Sequence, residues 1–284
     1  MKKIKILADS TCDLSTDLIS KHDIPIIPYY VTIAEEKYRD EEKELRTESL
    51  YQYVDKYGEL PKTSAPSPAD YNNFFSSYVE QGYELIYICL SSYFSSGYQN
   101  ACLAAKNFPA GQVEVIDSLN LSTGIGLLLM KAVDYLNEGK DKTYIINKLK
   151  ELIPQVKTRF IIDNLDFLYK GGRCTSLQRF LGSMLRFKIE IKVAKGKMDV
   201  ASRIRGSKEK ALNKLLRNIE TDLDNMDSSR IFITHSLENK GAELLSEHIR
   251  NKFGLNNVMV TNAGNVISSH CGPGTIGVLY ITTN

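Results

Sequence analysis

The chain has 284 residues, 43% of them hydrophobic and 25% charged, with a net charge of +2. This is an ordinary globular balance, long enough for one large domain or two average ones, and the charge by itself selects neither nucleic acid nor an acidic partner. The apolar run after Lys2-Lys3 is too short for a signal peptide, no stretch approaches the ~20 apolar residues of a membrane span, and five scattered cysteines without a CxxC pair read as free thiols of a reducing cytoplasm.

In chain order the first half alternates. The pattern predicts a strand over 4–8, a short helix over 15–22, a strand over 26–33 and a helix over 47–57. Ser67-Pro68-Ala69-Asp70 is a helix start, with a capping Ser, Pro in the first turn and an acid three residues after the cap. A strand over 84–90, a helix over 96–107, a strand over 112–116 and helices over 122–138 and 142–152 follow. Strands alternating with helices predict a three-layer α/β/α domain around a parallel sheet, ending near residue 155.

The second half, 156–284, differs. Residues 158–163 read as extended and 164–186 as mainly helical. The runs 187–194 and 198–204 flank Lys195-Gly196-Lys197, a β-hairpin signature with Gly in the turn. A helix over 207–225, a strand over 229–235, a helix over 239–252 and strands over 256–262 and 276–282 complete an α/β domain with a mixed sheet. Charge is uneven: residues 35–48 hold seven acidic and four basic residues, whereas 170–218 hold fourteen Lys or Arg and three acidic ones. Such a basic run is a set of solvated faces or a docking surface for an acidic partner. Few aromatics interleave with it and no nucleic-acid module signature appears, so no nucleic acid is expected.

Ligands of parallel sheets bind outside the carboxyl ends of strands. Hydroxyl residues gather at three such ends: Asp9-Ser10-Thr11, then Ser91, Ser92, Ser95 and Ser96, then Ser118, Ser122 and Thr123. Capping explains any one of these loops, but three on one edge also suit an anion. Thr63 and Ser64 lie in Lys62-Thr63-Ser64-Ala65-Pro66-Ser67-Pro68, a proline-stiffened loop that is either a plain lead into a helix or a holder of two hydroxyls. Residues 272, 274 and 277 spell G-x-G-x-x-G, but a dinucleotide fingerprint opens a helix after a strand, and here a strand follows. What remains is a Gly-Pro-Gly turn beside His270. The histidines at 22, 235, 248 and 270 match no metal spacing, and no Walker A or G-x-S-x-G stretch appears. Arg173, after Lys170-Gly171-Gly172, is either an exposed helix-end residue or a fork for a carboxylate or phosphate.

Six stretches, in order along essentially the whole chain, resemble the DegV family, the lipid-binding subunits of bacterial fatty acid kinase: ILADSTCDL, KTSAPSP, VIDSLNLSTGIG, LYKGGR, RIRGSKEKAL and HCGPGTIGV. Two stretches depart from that family. Ser96-Gly97 stand where it usually has Gly-Thr, and Glu190 stands where it usually has Pro. The resemblance implies two α/β domains with a long acyl chain buried inside and no cofactor or metal. It implies that Thr63, Ser95, Ser96 and His270 hold the carboxylate, with Ser64 and Arg173 close by and Arg205 on the surface that meets the kinase. It also implies a carrier rather than an enzyme: an ATP-binding partner makes the acyl phosphate that feeds phospholipid synthesis, and exchange of lipid involves transient membrane contact. The alternative is an acyl hydrolase or transferase using Ser95 or Cys271 with His270.

Overall fold

The computed structural model describes residues 3–40, 45–163, 165–174 and 187–283. The first half forms β1 (Lys3–Asp9), α1 (Thr16–Lys21), β2 (Ile26–Ile27), β3 (Tyr30–Ile33), β4 (Glu36–Arg39), α2 (Thr47–Tyr57), β5 (Lys62–Ser64), α3 (Pro68–Val79), β6 (Tyr83–Cys89), α4 (Gly97–Ala105), β7 (Val113–Asp117), α5 (Thr123–Asn137) and α6 (Lys142–Leu152). The second adds β8 (Val156–Ile162), α7 (Asp166–Lys170), β9 (Phe187–Ala194), β10 (Lys197–Arg205), α8 (Lys208–Asp222), β11 (Ile231–Ser236), α9 (Asn239–Phe253), β12 (Val258–Asn262), α10 (Asn265–Cys271) and β13 (Thr275–Ile281).

Strand periodicity explains the first layer. Successive side chains of a strand point to opposite faces. Leu7, Leu85, Tyr87 and Cys89 pack with Tyr71 and Phe75 of α3 and Ala101 and Ala104 of α4. Their neighbours Ile6, Ala8, Ile86 and Ile88 pack on the other face with Ile125, Leu128 and Leu129 of α5. Both faces are therefore apolar, as a buried parallel sheet requires, and the strand order is β2-β1-β6-β7 with every pairing parallel.

The second sheet is mixed, with order β10-β9-β8-β13-β11-β12. Only β11 and β12 pair in parallel. One face carries Ile161, Ile233, Ile276 and Val278 against Leu215 of α8 and Leu245 of α9. The other carries Phe160, Ile162, Phe232 and Leu279 into the same cluster that holds α5. Helix α5 thus lies between the two sheets and touches strands of both. The chain is an α/β protein whose main core is shared by both sheets.

Besides β4, where no strand was expected, three local outcomes differ from the sequence reading. The strand expected over 26–33 is two strands, β2 in the parallel sheet and β3 in a separate antiparallel sheet of order β4-β3-β5. Pro28 has no N–H for a ladder, and the N–H of Tyr29 goes to Ser10 Oγ at 3.1 Å. Residues 62–64, read as loop, form β5. The third is α10, which appeared only as a turn beside His270. Ser268 and Ser269 donate to the carbonyls of Ala263 and Asn265, so the polar residues that argue against a helix serve as its internal ties. Of the helical stretch expected over 164–186, Asp166–Lys170 is helix, while 164 and 175–186 lie outside the described residues. Among the described residues, no helix is long and apolar enough to cross a membrane.

Candidate functional site

The loop after β6 is where the first sheet meets the second half of the chain. Its four serines have different tasks. Ser91, fully buried, donates to the carbonyl of Gly196 in the β9–β10 turn at 2.9 Å. Ser92 gives its N–H to the Asp117 carboxylate. Ser95 Oγ accepts from the Tyr29 hydroxyl and from the Gly97 N–H, each at 3.1 Å. Ser96 occupies the N-cap position of α4, is exposed, and makes no side-chain cap bond.

The other two hydroxyl-bearing loops are used internally. Asp9 is fully buried and accepts from Thr11 N, Thr11 Oγ1, Leu90 N and the Tyr87 hydroxyl. Ser122 donates to Asp13, and Thr123 shares a 2.6 Å contact with Thr234 of β11. Of the three strand ends singled out in the sequence, the one after β6 supplies serines to a cavity mouth.

That cavity has a volume of about 290 Å³ and its polar lining includes Tyr29, Thr63, Ser64, Ser95, Ser96 and Arg173. It adjoins a second, smaller cavity of about 60 Å³ between the second sheet and α10. Leu121, Met198, Ile267 and His270 border both. Phe160, Leu168 and Leu279 make the smaller cavity's walls mainly apolar, with Ser122, Thr158 and Thr275 also on the lining, and Gly277 of β13 adds no side chain to them. The arrangement is a polar mouth leading into an apolar slot.

Two short elements aim the mouth's donors. Strand β5 pairs Thr63 with Val31 of β3, so the small sheet positions Thr63 together with Tyr29, which immediately precedes β3. From the other side α10 brings His270, whose Nε2 lies 2.8 Å from Thr63 Oγ1. Its Nδ1 is buried without a partner. A Cβ on Gly171 would come within 2.5 Å of that nitrogen, so it is glycine that lets the backbone pass this close to the ring. A buried N–H with no acceptor is costlier than a bare lone pair, which places the imidazole proton on Nε2, donating to Thr63. Burial, and secondarily the charge of Arg173, lower the His270 pKa to about 4, so the ring is neutral.

Arg173 spans the mouth: its guanidinium donates to the carbonyls of Gly171, at 2.5 Å, and Phe94, at 3.4 Å. Ser64 is exposed at the rim. Arg205 is elsewhere. It ends β10, seven residues beyond the cavity-lining Met198, or roughly 23 Å along the strand. The structure pairs His270 with Thr63, while Ser95 bonds to Tyr29 and Gly97. Cys271 is buried, and burial raises its thiol pKa to about 12, far from the thiolate a nucleophile needs. Among the described residues, no group of three or more His, Cys, Asp or Glu could hold a metal ion. Glu190 is a structural knot: fully buried, it pairs with Arg159 at 2.9 Å and accepts from Ser202 at 2.6 Å and Asn218 at 2.5 Å.

Sequence reasoning overlooked Tyr29, Phe94, Met198 and Ile267, all of which line the cavities. Pro28 was the one available signal for Tyr29, since it breaks the strand just before that residue.

A family model described as "Uncharacterised protein, DegV family" matches residues 3–283. A DegV domain-containing protein of Clostridium acetobutylicum is 34% identical over 281 residues, covering 99% of each chain. A protein of Thermotoga maritima named "Fatty acid-binding protein" is 31% identical over 279 residues, covering 97% of this chain and 96% of its own. A solved structure described as "Fatty Acid Binding of a DegV family Protein from Thermus thermophilus" superposes with a TM-score of 0.92 at 30% identity, covering 99% of this chain and all of the other. With a match that spans nearly every residue and a fold shared from end to end, this chain belongs to the DegV family.

Proposed function

We propose that this protein binds a long-chain fatty acid, with the carboxylate at the polar mouth and the acyl chain in the apolar slot, and presents the acid to an ATP-dependent kinase. The observation that carries the reading is the junction itself: half-buried hydroxyls at one end of a cavity whose other end is walled by Phe160, Leu168 and Leu279. Relatives named for fatty acid binding support the same ligand class.

In this reading Thr63 and Ser95 donate to the carboxylate. His270 gives its Nε2 proton to Thr63, which leaves the Thr63 proton free for the anion. Ser96 adds a hydroxyl at the N-terminus of α4, and Ser64 and Arg173 close the rim. Hydrogen bonds of this kind offset the cost of taking a carboxylate out of bulk water. Affinity comes mainly from the chain: each buried CH₂ contributes about 0.8 kcal/mol before ordering costs, so the gain grows with the length of chain that the cavities take in. The polar mouth then decides which end faces out.

Presentation to a kinase follows from what the carboxylate lacks, a phosphoryl donor. The partner supplies ATP, the product is an acyl phosphate for phospholipid synthesis, and Arg205 belongs to the docking surface. Lipid exchange takes place in brief contact with a membrane, and the five free cysteines suit a cytoplasmic location. We place residues 1–155 and 156–284 as the two domains that meet at the ligand. The hydrolase reading loses ground, because Ser95 is bonded to Tyr29 and Gly97 and the Cys271 thiol stays protonated.

The test is denaturing extraction of the purified protein followed by mass spectrometry. The expected result is fatty acid in about equimolar amount. No fatty acid, together with no uptake of added palmitate, overturns the reading.

A further inference from the structure

A serine hydroxyl has one proton and two lone pairs. In Ser95 both lone pairs are engaged, one by the Tyr29 hydroxyl and one by the Gly97 N–H. Among the described residues nothing accepts the Ser95 proton. We propose that Tyr29 is a positioning residue for a bound carboxylate: by donating to Ser95 it occupies the acceptor side of that hydroxyl and leaves Ser95 to meet an anion as a donor. This inference rests on the fatty-acid reading above.

Tyr29 is built for a fixed task. It is 2% exposed, and its backbone N–H is tied to Ser10 Oγ. Its hydroxyl is not an isolated one. The Tyr71 hydroxyl flanks the same space beside Gly97 and lies 3.0 Å from the Tyr87 hydroxyl, which donates to the buried carboxylate of Asp9 at 3.1 Å. Because Tyr87 gives its own proton to Asp9, the 3.0 Å bond takes the proton of Tyr71 to Tyr87, while Tyr29 directs its proton forward to Ser95. Burial holds all three phenols well above their ordinary pKa, which keeps them protonated and able to donate.

Gly97 makes the arrangement possible. A Cβ at this position would stand 2.0 Å from Tyr29 Oη and 3.0 Å from Cζ. The phenol therefore fills the space that any side chain at 97 would need. The departure noted in the sequence, Gly97 in place of the family's usual Thr, is one half of a pair whose other half is Tyr29. The hydroxyl beside Ser95 comes from the strand side of the cavity instead of from α4.

The expected consequence is selectivity for a charged head group. Bonds to an ionised acceptor are about twice as strong as neutral ones, so losing the Tyr29 hydroxyl should penalise an acid more than an alcohol. The experiment compares Tyr29→Phe with the parent protein, using hexadecanoic acid and hexadecan-1-ol as competitors of a fluorescent fatty acid. The acid's Kd should rise roughly three- to tenfold and the alcohol's less than about twofold. An equal change for both ligands, or none for either, overturns the proposal while leaving fatty acid binding intact. Failure of the parent protein to bind the acid overturns both this proposal and the reading beneath it.

Gly97→Ala gives an independent reading should Tyr29→Phe not fold, since it keeps the phenol but displaces its hydroxyl. It should show the same selective loss of the acid. Added to Tyr29→Phe it should cost less than it does alone, because the hydroxyl it collides with is gone. Strict additivity of the two changes would refute the pairing.

Discussion

His270 holds its role by being uncharged. Burial lowers its pKa from the ordinary 6.5 to about 4. The folded protein therefore declines a proton that the unfolded chain accepts between about pH 6.5 and about pH 4. The contribution of this residue to stability is present above that window and is lost as pH falls through it. An NMR titration of the imidazole should be flat from pH 8 to pH 5, with its midpoint near 4 in the ligand-free protein. Loading with fatty acid should move the midpoint upward, since a nearby carboxylate favours the imidazolium. A ligand-free midpoint at the ordinary 6.5 would show the ring to be solvated. Thr63, Ser95 and His270 could be singled out in the sequence because each sits in a short stretch of unusual composition. Tyr29 could not. Its significance depends on Ser95 and Gly97, which lie more than sixty residues further along the chain and meet it only after folding. Glu190 is a similar case, since a lone acid in a strand shows nothing of Arg159, Ser202 and Asn218 closing around it.

At the scale of elements, the three-stranded sheet β4-β3-β5 decides how firmly Thr63 and Tyr29 are held. Its hairpin turn is unusual. Ile33 pairs with Glu36, and the two residues between them, Ala34 and Glu35, both have positive φ, 50° and 69°. A turn of this kind favours Asn-Gly, because side chains with a Cβ are strained there. Replacing Ala34→Asn and Glu35→Gly together should stabilise the protein by about 1–2 kcal/mol, read as a higher urea midpoint with an unchanged slope. A lower midpoint would mean that the turn is not formed in solution. Alternation exposed most elements in advance, because apolar runs of strand length bounded by Gly, Pro and Ser rarely fold into anything else. It failed where side chains replaced propensity. Strand β4 is written almost entirely in charged residues, and α10 is rich in Ser that bonds back to its own helix. The Lys195-Gly196 turn was plain, since Gly196 has a φ of 79° and Lys195 one of 51°.

For the whole molecule, a ligand lying between two sheets links its own binding to the stability of both. At a free concentration of one hundred times Kd, a fatty acid should add about 2.7 kcal/mol and raise Tm by several degrees. In the Thr63→Ala/Ser95→Ala double variant, the shift at the same ligand concentration should be clearly smaller, and the ligand-free Tm should itself fall, because the Tyr29 hydroxyl and the His270 Nε2–H lose their acceptors. An undiminished shift would remove these hydroxyls from the site. The two-sheet architecture was readable in outline from the change of pattern after residue 155. The order of strands in the second sheet was not, because pairing between distant segments leaves no local trace.

One feature of that order bears on how the chain reaches its native state. Strand β13, residues 275–281, lies between β8 and β11 near the middle of the second sheet. The ladder that joins β8 to the β11–β12 pair cannot close until residue 281 has been made. During synthesis the apolar inner faces of β8 and β11, and the side of α5 that packs on them, wait unpaired for the last strand to arrive. Closure is a late event between segments more than a hundred residues apart, which is slow and exposes a strand-lined gap to other chains. A ribosome stalled before residue 275 would therefore carry a second sheet whose interior is still open.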